Sequence, residues 1–130
     1  YRKVGQRCHD NSRIFLMHSD GDLSVLMDDL IAMGLDVIQP IDPSCMDMAA
    51  VKKKWGDRIC LIGNVSNELL RSASTSEIEA RVKELLCDAG PGGGFALGSG
   101  NSVPNWAKYE NYMAMRETCL RHGGYPISIK

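Results

Sequence analysis

Short apolar runs alternate with amphipathic stretches along the whole chain. Each of four runs is followed by residues whose apolar positions recur at helical spacing, which predicts the order β-α-β-α-β-α-β-α. The runs are nearly continuous rather than alternating, a pattern typical of strands buried on both faces of a parallel sheet. The predicted strands cover residues 14–17, 37–41, 59–62 and 95–97.

Start and stop residues separate the predicted helices. Ser74 with Glu77, or Ser76 with Glu79, fits the capping-box pattern at the start of the strongest helix. Residues 1–8 are expected to be the tail of one further helix. The remaining helices are predicted over residues 23–33, 46–55, 68–71 and 74–89, with a last helix that carries Trp106, Tyr109, Met113 and Leu120.

The sequence contains no linker that would mark a second domain, so residues 1–130 are expected to form a single domain. Two closures suit four parallel β-α units. One is an open doubly wound sheet, and the other is part of a (β/α)₈ barrel. A complete barrel needs eight units and about 250 residues, and this chain of 130 residues has half of that.

Charge and cysteine content exclude several classes of function. Charged residues make up 24% of the chain and the formal net charge is -1, which indicates no attraction for nucleic acid or an anionic membrane. No apolar run reaches the roughly 20 residues that span a bilayer. The five cysteines are odd in number and widely spaced, which argues against a disulfide framework. We therefore expect reduced thiols and a cytoplasmic location.

Polar residues follow each predicted strand. Because the carboxyl ends of parallel strands meet at one edge, these side chains are expected to share a pocket for a small-molecule ligand. The alternative is that strand ends are polar only because they emerge into solvent. The candidates are His18 and Asp20 after the first strand, Asp42 after the second, Asn64 after the third, and Ser99 and Asn101 after the fourth.

His18 and Asp20 are the candidates for catalysis. Residues two apart at a strand end point to the same side, so the pair could bind a metal together. Asp20 could instead orient the imidazole of His18. Two residues are too few for a metal site, and no third strong ligand is evident in the sequence.

Several segments resemble the uroporphyrinogen decarboxylase superfamily, and they occur in the order expected of it. This superfamily includes porphyrinogen decarboxylases and corrinoid-dependent methyltransferases. The resemblance implies a (β/α)₈ barrel whose units five to eight correspond to this chain, with the site at the carboxyl ends of the strands. The segments are Ile14–Asp22, Gly34–Asp42 with Met46-Asp47, Trp55–Arg58, Gly63–Val65, Gly92–Asn101 and Glu110-Asn111.

The resemblance also implies which residues depart from the known activities. The methyltransferases hold zinc with an H-x-C motif and a later cysteine. Here His18 matches the histidine, while Asp20 and Asn101 stand at the two cysteine positions. Aspartate can bind zinc, but asparagine is a poor ligand. The decarboxylases have a histidine at the position of Ser99, and the family often has an aspartate at the position of Ser66.

Half a barrel would leave two open strand edges and an uncovered inner face, which favour association. We expect a homodimer or complementation by a separate N-terminal half. Three hypotheses follow for the function. The chain is half of a methyltransferase-like or decarboxylase-like enzyme that is active only when assembled, a non-catalytic truncated half-barrel, or a piece of a longer enzyme. In the first, His18 carries a proton or binds zinc, Asp20 assists it, and Asp42, Asn64, Ser99 and Asn101 contact the substrate.

Overall fold

A four-stranded sheet with the strand order β1-β2-β3-β4 forms the centre of the molecule. The computed structural model describes residues 1–127 and residue 129. All three pairs of neighbouring strands are parallel, so the prediction of four parallel β-α units is confirmed. The elements are α1 (Arg2–Asp10), β1 (Leu16–His18), α2 (Met27–Ala32), β2 (Val37–Gln39), α3 (Met48–Trp55), β3 (Cys60–Val65), α4 (Asn67–Ser72), α5 (Thr75–Ala89), β4 (Phe95–Ser99) and α6 (Tyr109–His122).

The first strand begins two residues later than its apolar run. The Phe15 amide donates to the Asp36 carboxylate at 2.7 Å, and the Asp36 amide donates to the Phe15 carbonyl at 3.0 Å. At Phe15 the Asp36 carboxylate therefore replaces the backbone carbonyl that would otherwise accept this hydrogen bond in the sheet. The regular pairing starts one residue further on, with Leu16 opposite Val37.

The capping box predicted for α5 is present. The Ser74 hydroxyl accepts from the Glu77 amide, and the Glu77 carboxylate accepts from the Ser74 amide at 2.8 Å. This reciprocal pair satisfies two backbone donors that the first turn of a helix leaves free.

The prediction for the last helix was wrong in its start and in its buried face. Trp106 precedes α6, and Leu120 on the helix is 68% exposed. The buried residues of α6 include Asn111, whose amide donates to the carbonyls of Leu70 at 3.2 Å and Ala73 at 2.8 Å. A polar side chain thus fixes α6 to the end of α4, and a search for apolar spacing does not detect such a contact.

The two faces of the sheet differ in burial. Ile38 and Leu61 point towards the helices and are 0% exposed. Leu16 and Ala96 lie on the opposite face, where both are exposed. The prediction of strands buried on both faces therefore holds for the helix-covered face, and on the open face it holds for Val37 of β2 but not for the outer strands. The open face is the one that lines the interior of a closed barrel, and the described residues include no second layer to cover it.

Candidate functional site at the carboxyl ends of the strands

All four strands run in one direction, so their carboxyl ends lie along one edge of the sheet, here called the rim. His18 ends β1, Gln39 ends β2, Val65 ends β3 and Ser99 ends β4. The loops that leave the rim carry the remaining polar residues. Ligands of parallel α/β proteins bind at this edge.

His18 is held by a neighbour on the next strand. It lies opposite Gln39 in the register of β1 and β2, and its Nδ1 is 2.5 Å from Gln39 Oε1. An amide oxygen can only accept, so Nδ1 carries the proton of this hydrogen bond. The other ring nitrogen, Nε2, is 3.6 Å from Asp20 Oδ1 and is the free acceptor of the neutral ring. The imidazole is about half exposed at 46%.

Asp20 and Asn101 connect the two outer strands across the rim. Asn101 Nδ2 donates to Asp20 Oδ1 at 2.9 Å, although the two residues are 81 positions apart in the sequence. The Ser99 hydroxyl donates to the Asn101 carbonyl at 2.5 Å and so anchors that loop to β4. His18, Asp20 and Asn101 therefore lie together at the rim, where Asp20 and Asn101 are hydrogen-bonded and His18 Nε2 stands 3.6 Å from the Asp20 carboxylate.

Asp42 is held in its loop by several donors. Its Oδ1 accepts from the Ser44 hydroxyl at 2.7 Å and from the Ser44 amide at 2.9 Å. Its Oδ2 accepts from the Gly21 amide at 3.1 Å. The hydrogen bonds from Ser44 are the main cause that lowers the pKa of Asp42 below its ordinary value. Asp42 is therefore a fixed negative charge at neutral pH.

A polar cleft of about 240 Å³ opens beside this loop, here called the rim cleft. It holds two carboxylates, those of Asp42 and Glu68, and none of its lining residues is a lysine or an arginine. Arg71 Nη1 lies 3.8 Å from Glu68 Oε2 but is solvent-exposed and does not line the cleft, so Glu68 is partly compensated and Asp42 carries the uncompensated charge. The lining itself therefore favours a neutral or cationic ligand over an anion. The lining residues are Asp42, Pro43, Ser44, Ser66, Asn67, Glu68, Gly100 and Asn101.

The structure does not bring every predicted residue to the rim cleft. Asn64 is 1% exposed, and its side chain points into the protein. Its Nδ2 donates to the Ile41 carbonyl at 3.0 Å, and its Oδ1 accepts from Arg81 Nη2 at 2.8 Å. These contacts tie β3 to the loop after β2 and to α5, and they hold the side chain of Asn64 away from the rim cleft.

Three further predicted residues lie outside the lining of the cleft. They are His18, Asp20 and Ser99. Ser99 instead borders a groove between β4 and α6. His18 reaches the cleft only through Asp20 and Asn101, since Asn101 belongs to both groups.

Sequence reasoning missed Gln39, Asn67 and Glu68. Gln39 could have been found from the strand register, because a residue opposite His18 on the neighbouring strand must lie beside it. Asn67 and Glu68 belong to the first turn of α4, which places them at the rim. The carboxamide oxygen of Asn67 is buried and accepts no hydrogen bond from the described residues.

The residues at the rim do not fit zinc. Among residues 1–127 and 129, no group of three or more His, Cys, Asp and Glu side chains lies close enough to hold a metal ion. A metal at His18 and Asp20 would need a third ligand. The residue beside them is Asn101, whose amide nitrogen donates to Asp20. A zinc site normally has at least three protein ligands from stronger donors.

The fold and the rim define this chain as a parallel β-α half-barrel, and comparisons with known proteins support this class. The sequence model of the uroporphyrinogen decarboxylase (URO-D) family matches residues 1–122, and the chain belongs to this family. No functionally curated protein matches the chain significantly. No helix in the described part of the chain has both the length and the apolar character that a membrane span requires.

Among solved structures, 22 chains match significantly. One is a methyltransferase from Methanosarcina mazei, with a TM-score of 0.74 and 20% sequence identity. The match covers 92% of this chain and 34% of the methyltransferase, so this chain spans about a third of that protein's length. At this identity the likeness establishes the fold. The prediction of a partial (β/α)₈ barrel is thereby confirmed.

Proposed function

We propose that this chain supplies one half of the active site of a complete URO-D family barrel, and that the site transfers methyl groups from a small, cationic methylated substrate. The observation that carries the proposal is the rim cleft, which presents two carboxylates and no cation among its lining residues. A methylated ammonium or sulfonium group complements such a field. The methyltransferase fold of the solved neighbour supports the same reaction class.

The imidazole of His18 at the rim is suited to proton transfer. With Nδ1 engaged by Gln39, the Nε2 of His18 can accept a proton from the group that receives the methyl. The methyl acceptor loses its proton to His18 as the new bond to carbon forms, and the substrate leaves as a neutral amine or sulfide. Asp20, at 3.6 Å, stabilises the resulting imidazolium.

Decarboxylation of a polycarboxylate tetrapyrrole fits this half of the site less well. Such a substrate brings several negative charges, which Asp42 and Glu68 would repel. Any cations that it needs would have to come from the other half of the barrel. The second candidate is a non-catalytic half-barrel that binds small ligands, and the open sheet face with Leu16 at 47% exposure is the observation in its favour.

A binding titration tests the substrate class directly. The isotope-labelled chain is titrated with tetramethylammonium and, separately, with uroporphyrin, while NMR follows the amides of Asp42, Glu68 and Asn101. We expect the cation to shift these amides and Glu68→Gln to weaken its binding by about two- to fivefold, the range for one partly solvated charge.

Glu117→Gln is the matched control, because Glu117 is an exposed acid on α6 outside the rim cleft. It should leave binding unchanged. Preferential binding of uroporphyrin at these amides would contradict the proposal. Binding of neither probe would favour the non-catalytic half-barrel.

The proposal also places the chain in the cytoplasm. All five cysteines are free thiols, and Cys45 and Cys87 are exposed. Exposed free thiols are typical of proteins that work in a reducing compartment. Fluorescent tagging of the intact gene product, followed by fractionation, tests this location.

A further inference from the structure

Asp42 lies in a short turn whose two ends are held by one buried side chain. The Asp42 carbonyl accepts the Met46 amide at 2.8 Å, so residues 42–46 form a closed turn, here called the Asp42 turn. Asn64 Nδ2 donates to the carbonyl of Ile41, just before this turn, at 3.0 Å, and to the carbonyl of Met46, at its end, at 3.4 Å. A single carboxamide on β3 therefore spans both ends of the turn that carries Asp42.

Both polar atoms of this carboxamide are engaged. Asn64 is 1% exposed, and its Oδ1 accepts from Arg81 Nη2 at 2.8 Å. Arg81 lies on α5, where its Nη1 also donates to Glu84 Oε2 at 2.7 Å. An amide oxygen only accepts and an amide nitrogen only donates. Because the guanidinium takes the oxygen, the nitrogen of Asn64 faces the Asp42 turn.

The position of this turn determines where the negative charge of the rim cleft lies. Asp42 Oδ1 accepts from Ser44 inside the turn, and Oδ2 accepts from the Gly21 amide outside it. Pro43 packs so closely against the loop after β4 that a Cβ added at Gly100 would meet its Cδ at 2.7 Å. Asp42, Pro43 and Gly100 all line the cleft. A displaced turn would therefore change both the hydrogen bonds of the carboxylate and the shape of the cleft.

Asn111 offers a matched comparison within the same chain. It is also 1% exposed, and its amide donates to the carbonyls of Leu70 at 3.2 Å and Ala73 at 2.8 Å. These carbonyls lie at the end of α4, and neither residue lines the rim cleft. The two asparagines thus have the same burial and the same kind of partner. They differ in that only the partners of Asn64 flank a charged residue of the cleft.

We propose that Asn64 is a positioning residue for Asp42, because its hydrogen bonds to the two ends of the Asp42 turn set the place of the carboxylate in the rim cleft. Asn64 does not touch the ligand and acts on it through Asp42. The choice of a cation as the ligand rests on the proposed function, whereas the contact of Asn64 with the turn needs no ligand. The two can therefore be tested separately.

The ionisation of Asp42 reports on the turn in the absence of ligand. NMR of the carboxyl carbons gives the pKa of Asp42 in the parent chain, in Asn64→Leu and in Asn111→Leu. Hydrogen bonds from Ser44 and Gly21 lower this pKa, so Asn64→Leu should raise it towards its ordinary value. Asn111→Leu should leave it unchanged. Both variants should lose stability, since each leaves buried carbonyls without a donor, so stability alone does not distinguish them.

Asn64→Ser is the milder variant, because the smaller side chain leaves room for water beside the two carbonyls. It should raise the pKa of Asp42 by less than Asn64→Leu does, and it provides the test if Asn64→Leu does not fold. Neither substitution changes a charge. The titratable groups near Asp42, Glu68 of the cleft and Cys45 of the turn, are the same in all of these chains. A difference in pKa therefore reports the donors of Asp42.

Titration with tetramethylammonium connects the turn to binding. The folded Asn64 variant should bind the cation about two- to fivefold more weakly than the parent chain, the range for one partly solvated charge, while Asn111→Leu should bind it as the parent does. An unchanged pKa of Asp42 in a folded Asn64 variant would overturn the positioning role, as would an equal rise in Asn111→Leu. A raised pKa together with a parent chain that binds no cation would support the positioning role and contradict the proposed function.

Discussion

Two histidine–aspartate pairs lie at opposite ends of the same sheet. His9 and Asp36 occupy the end where the strands begin, with Nε2 and Oδ2 2.8 Å apart. His18 and Asp20 occupy the rim, where the corresponding distance is 3.6 Å. The residue types are the same, but only the first pair is within hydrogen-bond distance.

The surroundings of the two pairs explain the difference. Asp36 Oδ2 also accepts the Phe15 amide at 2.7 Å, so this carboxylate is part of the connection between β1 and β2. Among the described residues, the Asp20 carboxylate accepts from a single loop side chain, Asn101. The hydrogen bonds of the His9–Asp36 pair connect backbone elements and so stabilise the fold. The His18–Asp20 pair keeps a free acceptor, which remains available to a ligand. The same residue types therefore have different roles according to what the backbone near them requires.

The largest expected effect is that of Asp36→Ala. It leaves the Phe15 amide without a partner and removes the contact with His9, which should cost about 2 kcal/mol of unfolding free energy. The ion-pair share of this figure is small because Asp36 is 35% exposed. Urea unfolding of this variant and of Asp20→Ala makes the comparison. Asp20→Ala should change stability by less than about 0.5 kcal/mol, and equal losses would show that the two pairs are alike.

Replacing the histidines should also cost more stability in the His9–Asp36 pair than in the His18–Asp20 pair, with smaller losses than for the aspartates. His9→Ala is expected to lower the unfolding free energy by about 1 kcal/mol, since it removes one hydrogen bond to a carboxylate. His18→Ala should stay within about 0.5 kcal/mol of the parent chain, because its ring is half exposed. Thermal unfolding at neutral pH measures both. A larger loss for His18→Ala would make His18 a structural residue and would weaken the proposed function.

Acid should weaken the contribution of Asp36 to stability. Burial raises the pKa of Asp36, but the hydrogen bonds from Phe15 and His9 outweigh burial, so the pKa lies below its ordinary value. Such a carboxylate contributes stability that is fully present above its unfolded pKa of about 3.9 and is lost as the pH falls through the lower folded value.

Below about pH 4 the unfolding free energy of the parent chain should therefore fall more steeply than that of Asp36→Asn. The additional loss on acidification should be smaller than the loss that Asp36→Ala causes. Unfolding measured between neutral and acid pH gives the two slopes. Parallel slopes for the parent chain and Asp36→Asn would show that Asp36 does not cause the loss of stability in acid.

The smallest effect on stability is expected for Gln39→Leu. The substitution removes the acceptor at His18 Nδ1 and should leave the unfolding free energy within about 0.5 kcal/mol. The readout is instead the tautomer of the ring, measured by the nitrogen chemical shifts of His18. We expect Nδ1–H to predominate in the parent chain and to decrease in the variant, while His9 keeps its own pattern. An unchanged His18 tautomer would show that Gln39 does not orient the ring.

Much of the fold could be predicted because it depends on local patterns. The apolar runs identified all four strands, and Ser74 with Glu77 identified the start of α5. The strand boundary at Leu16 could not be predicted, because the Asp36 side chain replaces a backbone partner there. The buried face of α6 includes Asn111, whose partners lie about 40 residues earlier in the chain.

The positions of the candidate residues were only partly predictable. His18, Asp20, Asp42 and Asn101 lie at the rim as expected, because polar residues after buried strands gather at one edge. Asn64 follows the same rule, yet it turns inward because Arg81 and the Ile41 carbonyl take its polar atoms. Such a contact joins three separate elements, and the residues next to Asn64 in the sequence do not indicate it.

The sequence by itself determined the order of the elements, their parallel arrangement and the edge at which polar groups collect, because these follow from the spacing of apolar residues and the right-handed β-α-β connection. The tertiary structure decided which polar groups stay free, how Asn101 meets Asp20 across the sheet, and that α1 and α6 cover different edges. Those outcomes depend on distances between residues far apart in the chain, and only the packed backbone sets such distances.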